Sequence, residues 1–209
     1  MLKAVTKCLL EKVFDEVIFI SEFTKEINRM YIKKFRKSKV IYNGSSRLDV
    51  TLDSAIIREK LGIDISDFVV TLVSSLEGVK RPLLFVAIAE QLKRYNGICF
   101  LVVGDGVMRR EMEDKSKKNE LKMIFVGIRQ DVGNYINASN VVVSTAINEG
   151  FGRTLTEAMM LAKPVIAFDG SGPSEIISHG VNGFLIKNDD VDEFSMSILN
   201  IYKDRKSVV

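Results

Sequence analysis

The sequence predicts an α/β fold, in which a Rossmann-like, doubly wound parallel sheet carries helices on both faces. Three observations indicate this class. Short, uninterrupted apolar runs are typical of strands that are buried on both faces. Stretches with helical spacing alternate with these runs, as in folds with parallel strands. Glycine or polar residues follow the runs directly, where such a sheet opens its ligand-binding crevice. The predicted strands are 68–73, 98–103, 123–126, 141–143 and 164–167.

Residues 1–42 contain too few elements for a domain of their own. The predicted elements there are helix 3–13, strand 16–20, a helix after Ser21 and strand 39–42. The hydroxyl of Ser21 is suited to cap its helix. The Asn-Gly pair after the last strand favours a turn. We therefore predict the remnant of one domain over 1–42 and a complete domain over 43–209.

Three helices are predicted in the first half of the second part, before residue 120. One of them, over 82–95, carries Leu84, Ile88 and Leu92 at helical spacing. The others cover 54–61 and a charged stretch, 108–119. Because parallel strands end at one edge of the sheet, the loops that begin there border one crevice. These loops begin at Ser74, Gly104, Gly127, Ser144 and Phe168.

Composition narrows the class of protein. With 46% hydrophobic and 27% charged residues, the chain has the profile of a globular protein and not of a disordered one. A formal net charge of +3 is small for a nucleic-acid binder, so we predict no nucleic-acid partner. No apolar run reaches about eighteen residues. Cys8 and Cys99 match no metal or redox spacing. We predict a cytoplasmic protein, with peripheral contact at the inner membrane face left open.

The most informative stretch runs over 148–175. Gly150 and Gly152 allow a tight turn and a close approach of the backbone to a ligand. The helix predicted to begin near Arg153 adds free N–H groups and the positive end of its dipole, which together suit a diphosphate. Glu149 and Glu157 flank this turn and can only accept hydrogen bonds when ionised. A nucleotide sugar, with hydroxyls on both sides of its diphosphate, would satisfy both.

This stretch resembles the signature of glycosyltransferase family 4, a group of retaining enzymes with the GT-B fold. Members carry two glutamates separated by seven residues, then Ala-Met, Pro-Val-Ile-Ala and a Gly-Pro-x-Glu turn. The matching residues here are Glu149, Glu157, 158–159, 164–167 and 172–175. Ala162 stands where the family usually has glycine. The resemblance implies the C-terminal, nucleotide-sugar-binding half of a GT-B fold.

A second loop, 74–82, also follows a predicted strand and opens a helix. In the family this loop usually reads Gly-Arg-Leu and ends in a lysine, and the arginine and lysine clamp the diphosphate. Lys80 matches that lysine, but Ser75 stands in the place of the arginine. Losing a hydrogen bond worth roughly 1.5–3 kcal/mol should weaken donor binding about ten- to hundredfold. Arg81 and Arg153 are the candidates to compensate for it.

Two further loops match the family less specifically. Gly104, Asp105 and Gly106 form a glycine turn after a strand, and Arg109 occupies the third glycine position of a dinucleotide fingerprint. This argues against a nicotinamide cofactor and matches the Gly-Asp-Gly turn at the floor of the family's donor crevice. The loop that contains Ile128 matches the segment that holds the nucleotide base through backbone groups.

Other titratable groups have simpler structural explanations. The acidic residues at 189–192 precede a predicted helix, so we interpret them as its cap rather than as a metal site. His179, the single histidine, precedes a turn and is predicted to lie at the surface. A Ser-His-Asp arrangement does not present itself.

The resemblance assigns roles to individual residues. Glu149 and Lys80 would act in catalysis, with no metal and no cofactor other than the donor substrate, a UDP- or GDP-sugar. The acceptor would be a glycan or a lipid-linked sugar, as in polysaccharide or glycoconjugate biosynthesis. The residues implied in donor binding are Glu157, Gly150, Phe151, Gly152, Arg153, Thr154, Ser75, Gly104, Asp105 and Ile128.

The resemblance covers the second of two family domains and the last strand and helix of the first. Ser21 and Glu22 match the dipeptide that opens that helix. We expect that either a partner chain supplies the acceptor domain or the chain is a truncated product that binds donor poorly and transfers little. The closing helix of the family would follow Val209. Two alternatives stay open: a non-catalytic or degenerate subunit that binds a partner glycosyltransferase chain, which Ser75 favours, and a nucleotide-sugar epimerase of the same fold, which the glutamate pair disfavours.

Overall fold

The computed structural model describes residues 16–32, 37–46 and 48–204. The chain divides into two compact units, Met1–Gly44 and Ser45–Val209. The helix predicted over 3–13 lies outside the described residues. Within the described part, no helix has the length and apolar character that crossing a bilayer requires.

The described part of the first unit forms a strand-helix-strand motif. Strand β1 (Val17–Phe19) and strand β2 (Ser38–Val40) pair in parallel, and helix α1 (Glu22–Ile32) connects them. The Ser21 hydroxyl oxygen accepts a hydrogen bond of 3.0 Å from the backbone N–H of Thr24. This contact confirms the cap that the sequence predicts, because it satisfies one of the free N–H groups of the first helical turn.

The second unit is built on a six-stranded sheet with the order β5-β4-β3-β6-β7-β8, in which all pairs are parallel. The chain builds outward from β3 through β4 to β5 and then returns to the other side of β3. The switch point of the sheet therefore lies between β3 and β6, where a doubly wound fold binds its ligand. The strands are β3 (Phe68–Val73), β4 (Ile98–Val103), β5 (Met123–Gly127), β6 (Val141–Ser144), β7 (Val165–Phe168) and β8 (Phe184–Ile186).

Helices cover both faces of this sheet, as predicted. On β4, Phe100 and Val102 pack into the core cluster that contains residues of α3 and α7, whereas Cys99 and Leu101 pack into the opposite cluster with residues of α2 and α5. Continuous apolar runs thus correspond to strands that are buried on both faces. The helices are α2 (Ser54–Lys60), α3 (Pro82–Leu92), α4 (Arg109–Lys118), α5 (Val132–Asn137), α6 (Arg153–Met160) and α7 (Val191–Lys203). Two short 3₁₀ turns cover Gly78–Lys80 and Gly172–Glu175.

A buried arginine joins three segments at the amino edge of the sheet. Arg58 is only 8% exposed. Its Nε donates to the carbonyl oxygen of Ala138 at 3.0 Å and its Nη1 to that of Asp67 at 2.9 Å. Its Nη2 donates to Oδ1 of Asn140 at 2.8 Å, and the same oxygen accepts from the backbone N–H of Val69 at 2.7 Å. The guanidinium therefore satisfies acceptors that packing removes from water.

We predict that Arg58→Met lowers the free energy of unfolding by about 3 kcal/mol, because it leaves several buried acceptors without a donor. The exposed Arg110, whose side chain is 93% accessible, provides the control. Arg110→Met should change the free energy of unfolding by less than about 0.5 kcal/mol. Urea unfolding of the two variants measures the difference, and equal effects would contradict this account of Arg58.

Candidate functional site

A cavity of about 230 Å³ opens at the carboxyl ends of β3 and β6. This is the switch point of the sheet, where the sequence predicts the crevice. The loop after β3, the loop after β6 and the first turns of α6 form its walls. The lining residues are Val73, Ser74, Ser75, Lys80, Val143, Ser144, Glu149, Gly152, Arg153, Thr154, Leu155 and Glu157.

The two glutamates of the predicted site line this same cavity. Glu149 lies in the loop before α6, and Glu157 lies one turn inside that helix. Their side chains are only 19% and 14% exposed. Both side chains therefore border one cavity, to which their carboxylates present acceptor oxygens.

Glycine shapes the loop between the two glutamates. Gly152 has φ +95°, and a Cβ atom added there would come within 3.2 Å of Cδ1 of Leu155. Behind the loop, a Cβ atom on Gly172 would lie 2.4 Å from the carbonyl oxygen of Gly150. The backbone N–H of Gly172 also donates to the carbonyl oxygen of Glu149 at 2.8 Å. The Gly-Pro-x-Glu turn thus holds the loop from behind, a role that the sequence analysis did not assign to it.

Lys80 reaches the cavity from the 3₁₀ turn after β3. Its Nζ lies 2.5 Å from Oε2 of Glu149, and the lysine side chain is 31% exposed. The hydroxyl of Thr145, a fully buried residue at the end of β6, donates to the carbonyl oxygen of Lys80 at 2.9 Å. An anion that binds Lys80 must therefore compete with Glu149. Thr145 is a positioning contact that the sequence analysis missed, although it lies only two residues after a predicted strand.

The N-terminus of α6 adds further donors to the cavity. The backbone N–H groups of Arg153 and Thr154 are the first two of the helix, and such groups have no acceptor within it. Gly152 precedes them and has no side chain that could cap them. Nη2 of Arg153 lies 3.3 Å from Oε1 of Glu157, but the arginine side chain is 70% exposed. Because the guanidinium itself is exposed and its contact is long, it can turn toward an anionic ligand.

Two predicted residues support the cavity from the neighbouring loop and do not line it. Gly104 has φ +132°, and a Cβ atom there would lie 1.9 Å from the carbonyl oxygen of Ser74. Asp105 accepts hydrogen bonds of 2.7 Å from Nη1 of Arg109 and from the backbone N–H of Gly106. These contacts lower the pKa of Asp105, the arginine contributing most, so its carboxylate is ionised at neutral pH.

Three other predicted residues also lie outside the cavity lining. Phe151 is buried, with 6% of its surface exposed, whereas Ile128 is 80% exposed. Gly150 packs against Gly172 through its carbonyl group. Arg81 does not line the cavity either, because its guanidinium pairs with Asp189 in the loop after β8. Arg153 is therefore the better placed of the two arginines to replace the one missing at position 75.

The acidic residues at 189–192 act in the local structure. Oδ1 of Asp190 caps α7 by accepting from the backbone N–H of Glu193 at 2.8 Å, as predicted. Asp192 accepts from Nε2 of Gln91 at 2.7 Å. In the part of the chain that the structure describes, no group of three or more His, Cys, Asp or Glu side chains could hold a metal ion. Burial raises the pKa of the Cys99 thiol to about 11, which makes it a poor nucleophile.

A larger cavity, of about 620 Å³, lies at the opposite edge of the sheet, by the amino ends of β7 and β8. Its lining includes Lys163, Pro164 and Phe184. Burial lowers the pKa of Lys163. None of the predicted site residues lines this cavity. Size alone therefore does not locate the site, and the smaller cavity has the convergent polar groups that a ligand-binding site requires.

A parallel sheet whose switch point combines a helix N-terminus, a lysine and two carboxylates is the arrangement of a Rossmann-like domain. The family model for glycosyl transferases group 1 matches residues 53–208. The chain belongs to this family.

Curated relatives support the same family. The UDP-Gal:alpha-D-GlcNAc-diphosphoundecaprenol alpha-1,3-galactosyltransferase of Escherichia coli is 27% identical over 188 residues, which cover 86% of this chain and 48% of that protein. The Vi polysaccharide biosynthesis protein VipC/TviE of Salmonella typhi is 27% identical over 140 residues, which cover 63% of this chain and 24% of that protein. The chain thus spans about half or less of the length of these relatives.

A solved structure, that of Anabaena Alr3699/HepE in complex with UDP and glucose, superimposes with a TM-score of 0.88. The two proteins are 26% identical, and the match covers 98% of this chain and 58% of the Anabaena chain. This similarity to GT-B glycosyltransferases confirms the predicted fold class, a Rossmann-like half of a GT-B fold.

Proposed function

We propose that the chain is the donor-binding half of a retaining glycosyltransferase of the family 4 type. It transfers a sugar from a nucleoside diphosphate sugar to a glycan or lipid-linked acceptor. The observation that carries the proposal is the convergence of Lys80, Glu149, Glu157 and the N-terminus of α6 on one cavity.

The cationic side of the cavity would bind the diphosphate. Lys80 supplies a formal charge, and the amides of Arg153 and Thr154 supply directed hydrogen bonds. As the bond from the sugar to the diphosphate breaks, negative charge grows on the leaving phosphate oxygen. Donors that are already oriented toward this oxygen stabilise the transition state without further reorganisation. This arrangement neutralises the leaving group with protein donors and needs no metal ion.

The two carboxylates would hold the groups on either side of the diphosphate. Glu157, one turn inside α6, accepts from the ribose hydroxyls, and Glu149 faces the sugar and supports it electrostatically. Before the donor binds, Glu149 accepts from the ammonium group of Lys80. Neither carboxylate is assigned as a nucleophile, and we propose attack on the face from which the leaving group departs.

UDP is the proposed nucleotide. The Anabaena protein, which is 26% identical, was solved with UDP and with UDP-glucose. The name of the Escherichia coli relative specifies UDP-Gal as donor and a diphosphoundecaprenol-linked sugar as acceptor. A related acceptor would place this chain at the cytoplasmic face of a membrane as a peripheral protein. The relative from Salmonella typhi supports a role in polysaccharide biosynthesis.

The strand-helix-strand unit before Ser45 is proposed to be the end of the N-terminal acceptor domain, in line with the boundary predicted at residue 42. The rest of that domain would come from a partner chain or from a longer form of this polypeptide. Family members of about twice this length match the chain along nearly all of it, which supports this assignment.

A second candidate function is a non-catalytic subunit that binds a partner glycosyltransferase. One observation favours it: Ser75 lines the cavity where the family usually has an arginine. Donor hydrolysis distinguishes the two functions. If the chain hydrolyses a UDP-sugar, alone or with its partner chain, it is catalytic, whereas binding without turnover in every combination supports the subunit.

We predict that UDP stabilises the full chain against heat more than GDP or ADP does. At a concentration one hundred times its dissociation constant, a ligand adds about 2.7 kcal/mol to the free energy of unfolding. For a protein of this size, this raises Tm by roughly 5–10 °C. Thermal scans with the three nucleotides, and with uridine as a control without phosphate, measure the effect. If none of the diphosphates raises Tm above the uridine value, the proposed function is wrong.

A further inference from the structure

Arg81, the residue directly after Lys80, connects two loops at the carboxyl edge of the sheet. Its Nη1 donates to Oδ1 of Asn188 at 3.0 Å, and its Nη2 pairs with Asp189. The guanidinium carbon also lies 5.4 Å from the ring centroid of Phe168, at the end of β7. The arginine side chain is only 20% exposed. Arg81 thus ties the loop after β3 to the loop after β8.

The backbone of Arg81 is held in a conformation that its side chain does not favour. Its φ of +52° lies in the left-handed region, where a residue with a Cβ atom is strained. The residue is at once the end of the 3₁₀ turn Gly78–Lys80 and the N-cap of α3. Such strain persists only where surrounding contacts maintain it. The contacts of the guanidinium provide this restraint.

Lys80 is fixed between two anchors as a result. On one side, the hydroxyl of Thr145 donates to the carbonyl oxygen of Lys80 at 2.9 Å. On the other side, Arg81 holds the next residue against the loop after β8. A lysine side chain has four flexible carbons, so the position of its ammonium group depends on how firmly the backbone beneath it is held.

We propose that Arg81 is a positioning residue for the donor site, which acts through Lys80 and does not touch the ligand. This inference rests on the proposed function, since it concerns the contact of Lys80 with the donor diphosphate. The simpler alternative is a surface ion pair with a structural effect only, because Asp189 is 69% exposed. A purely structural pair would alter stability and the binding of all ligands alike, whereas a positioning residue alters the diphosphate contact alone.

The test is a double-mutant cycle on the full chain, with affinities for UDP and uridine measured by calorimetry. Arg81→Ala should lower the affinity for UDP about three- to tenfold and leave the affinity for uridine unchanged. In the Lys80→Met background, Arg81→Ala should have no further effect, because the contact it positions is gone. Arg94→Ala is the control, since Arg94 lies over the ring of Tyr95 at 5.2 Å and is not part of the site.

Three results would overturn the inference. They are an unchanged UDP affinity in Arg81→Ala, an equal loss for UDP and uridine, and a loss that adds fully to that of Lys80→Met. If Arg81→Ala does not fold, Asp189→Asn removes the other side of the contact, and the same non-additivity is expected. Failure of the wild-type chain to bind UDP would overturn the proposed function as well. UDP binding that weakens in Lys80→Met but not in Arg81→Ala overturns this inference alone.

Discussion

Lys80→Met is expected to lower the affinity of the chain for UDP about ten- to hundredfold. Methionine retains the length of the side chain but loses the charge-assisted hydrogen bond to the diphosphate, worth about 1.5–3 kcal/mol. Each 1.4 kcal/mol corresponds to a factor of ten in affinity. The change also leaves Glu149 without its cationic partner in the same cavity, so its charge would repel the diphosphate. Calorimetric titration with UDP measures the effect.

The control is Lys118→Met, in the last turn of α4. Lys118 is exposed and does not line the cavity, and its substitution changes the net charge by the same amount. If UDP were held only by the overall positive charge of the chain, the two variants would lose the same affinity for UDP. Equal losses would therefore contradict a specific contact between Lys80 and the diphosphate.

Glu149→Gln is expected to separate binding from turnover. Glutamine cannot form an ion pair with Lys80 and does not repel the diphosphate, so the affinity for UDP should rise by up to about fivefold, which corresponds to roughly 1 kcal/mol. The turnover of a UDP-sugar should fall about a hundredfold or more, because the site loses the charge that supports the developing positive charge on the sugar. Calorimetric titration with UDP tests the predicted affinity. The rate of UDP release from the donor tests the predicted turnover.

Glu113→Gln provides the matched control for this second prediction. Glu113 also forms an ion pair, at 2.8 Å from Nε of Arg109, but it does not line the cavity. Its substitution should leave both UDP affinity and turnover unchanged. If Glu149→Gln weakens UDP binding instead, Glu149 contacts the nucleotide directly and does not compete with it for Lys80.

The bounds of the long apolar strands could be predicted from the sequence, whereas a short helix and a short strand were missed. The bounds of β3 and β4 match the prediction because six apolar or β-branched residues in each run are followed by a break in the pattern. Helix α5 was missed because Gly133 and Asn134 have poor helix propensity. Tertiary contacts stabilise it, since Oδ1 of Asn134 accepts from the backbone N–H of Thr51 at 2.8 Å. Strand β8 was also missed, and its three residues form only a short apolar run.

Several residues that line the cavity could be picked out from local motifs, but the contacts between them could not. Glu157 lies in a helix and Glu149 in the loop directly before it, so their proximity follows from the local pattern. Lys80 lies 69 positions before Glu149, and only the order of the strands brings them together. The same holds for Arg81 and Asp189. Contacts between distant loops depend on the sheet topology, which a local pattern does not specify.

A crystal structure of the chain with UDP is the most direct test of the central claim. The account predicts UDP in the cavity between β3 and β6. A β-phosphate oxygen should lie about 3 Å from Nζ of Lys80, and a ribose hydroxyl at hydrogen-bonding distance from Glu157. UDP bound elsewhere, such as in the larger cavity beside Lys163, or a Lys80–Glu149 pair left intact beside bound diphosphate, would contradict it.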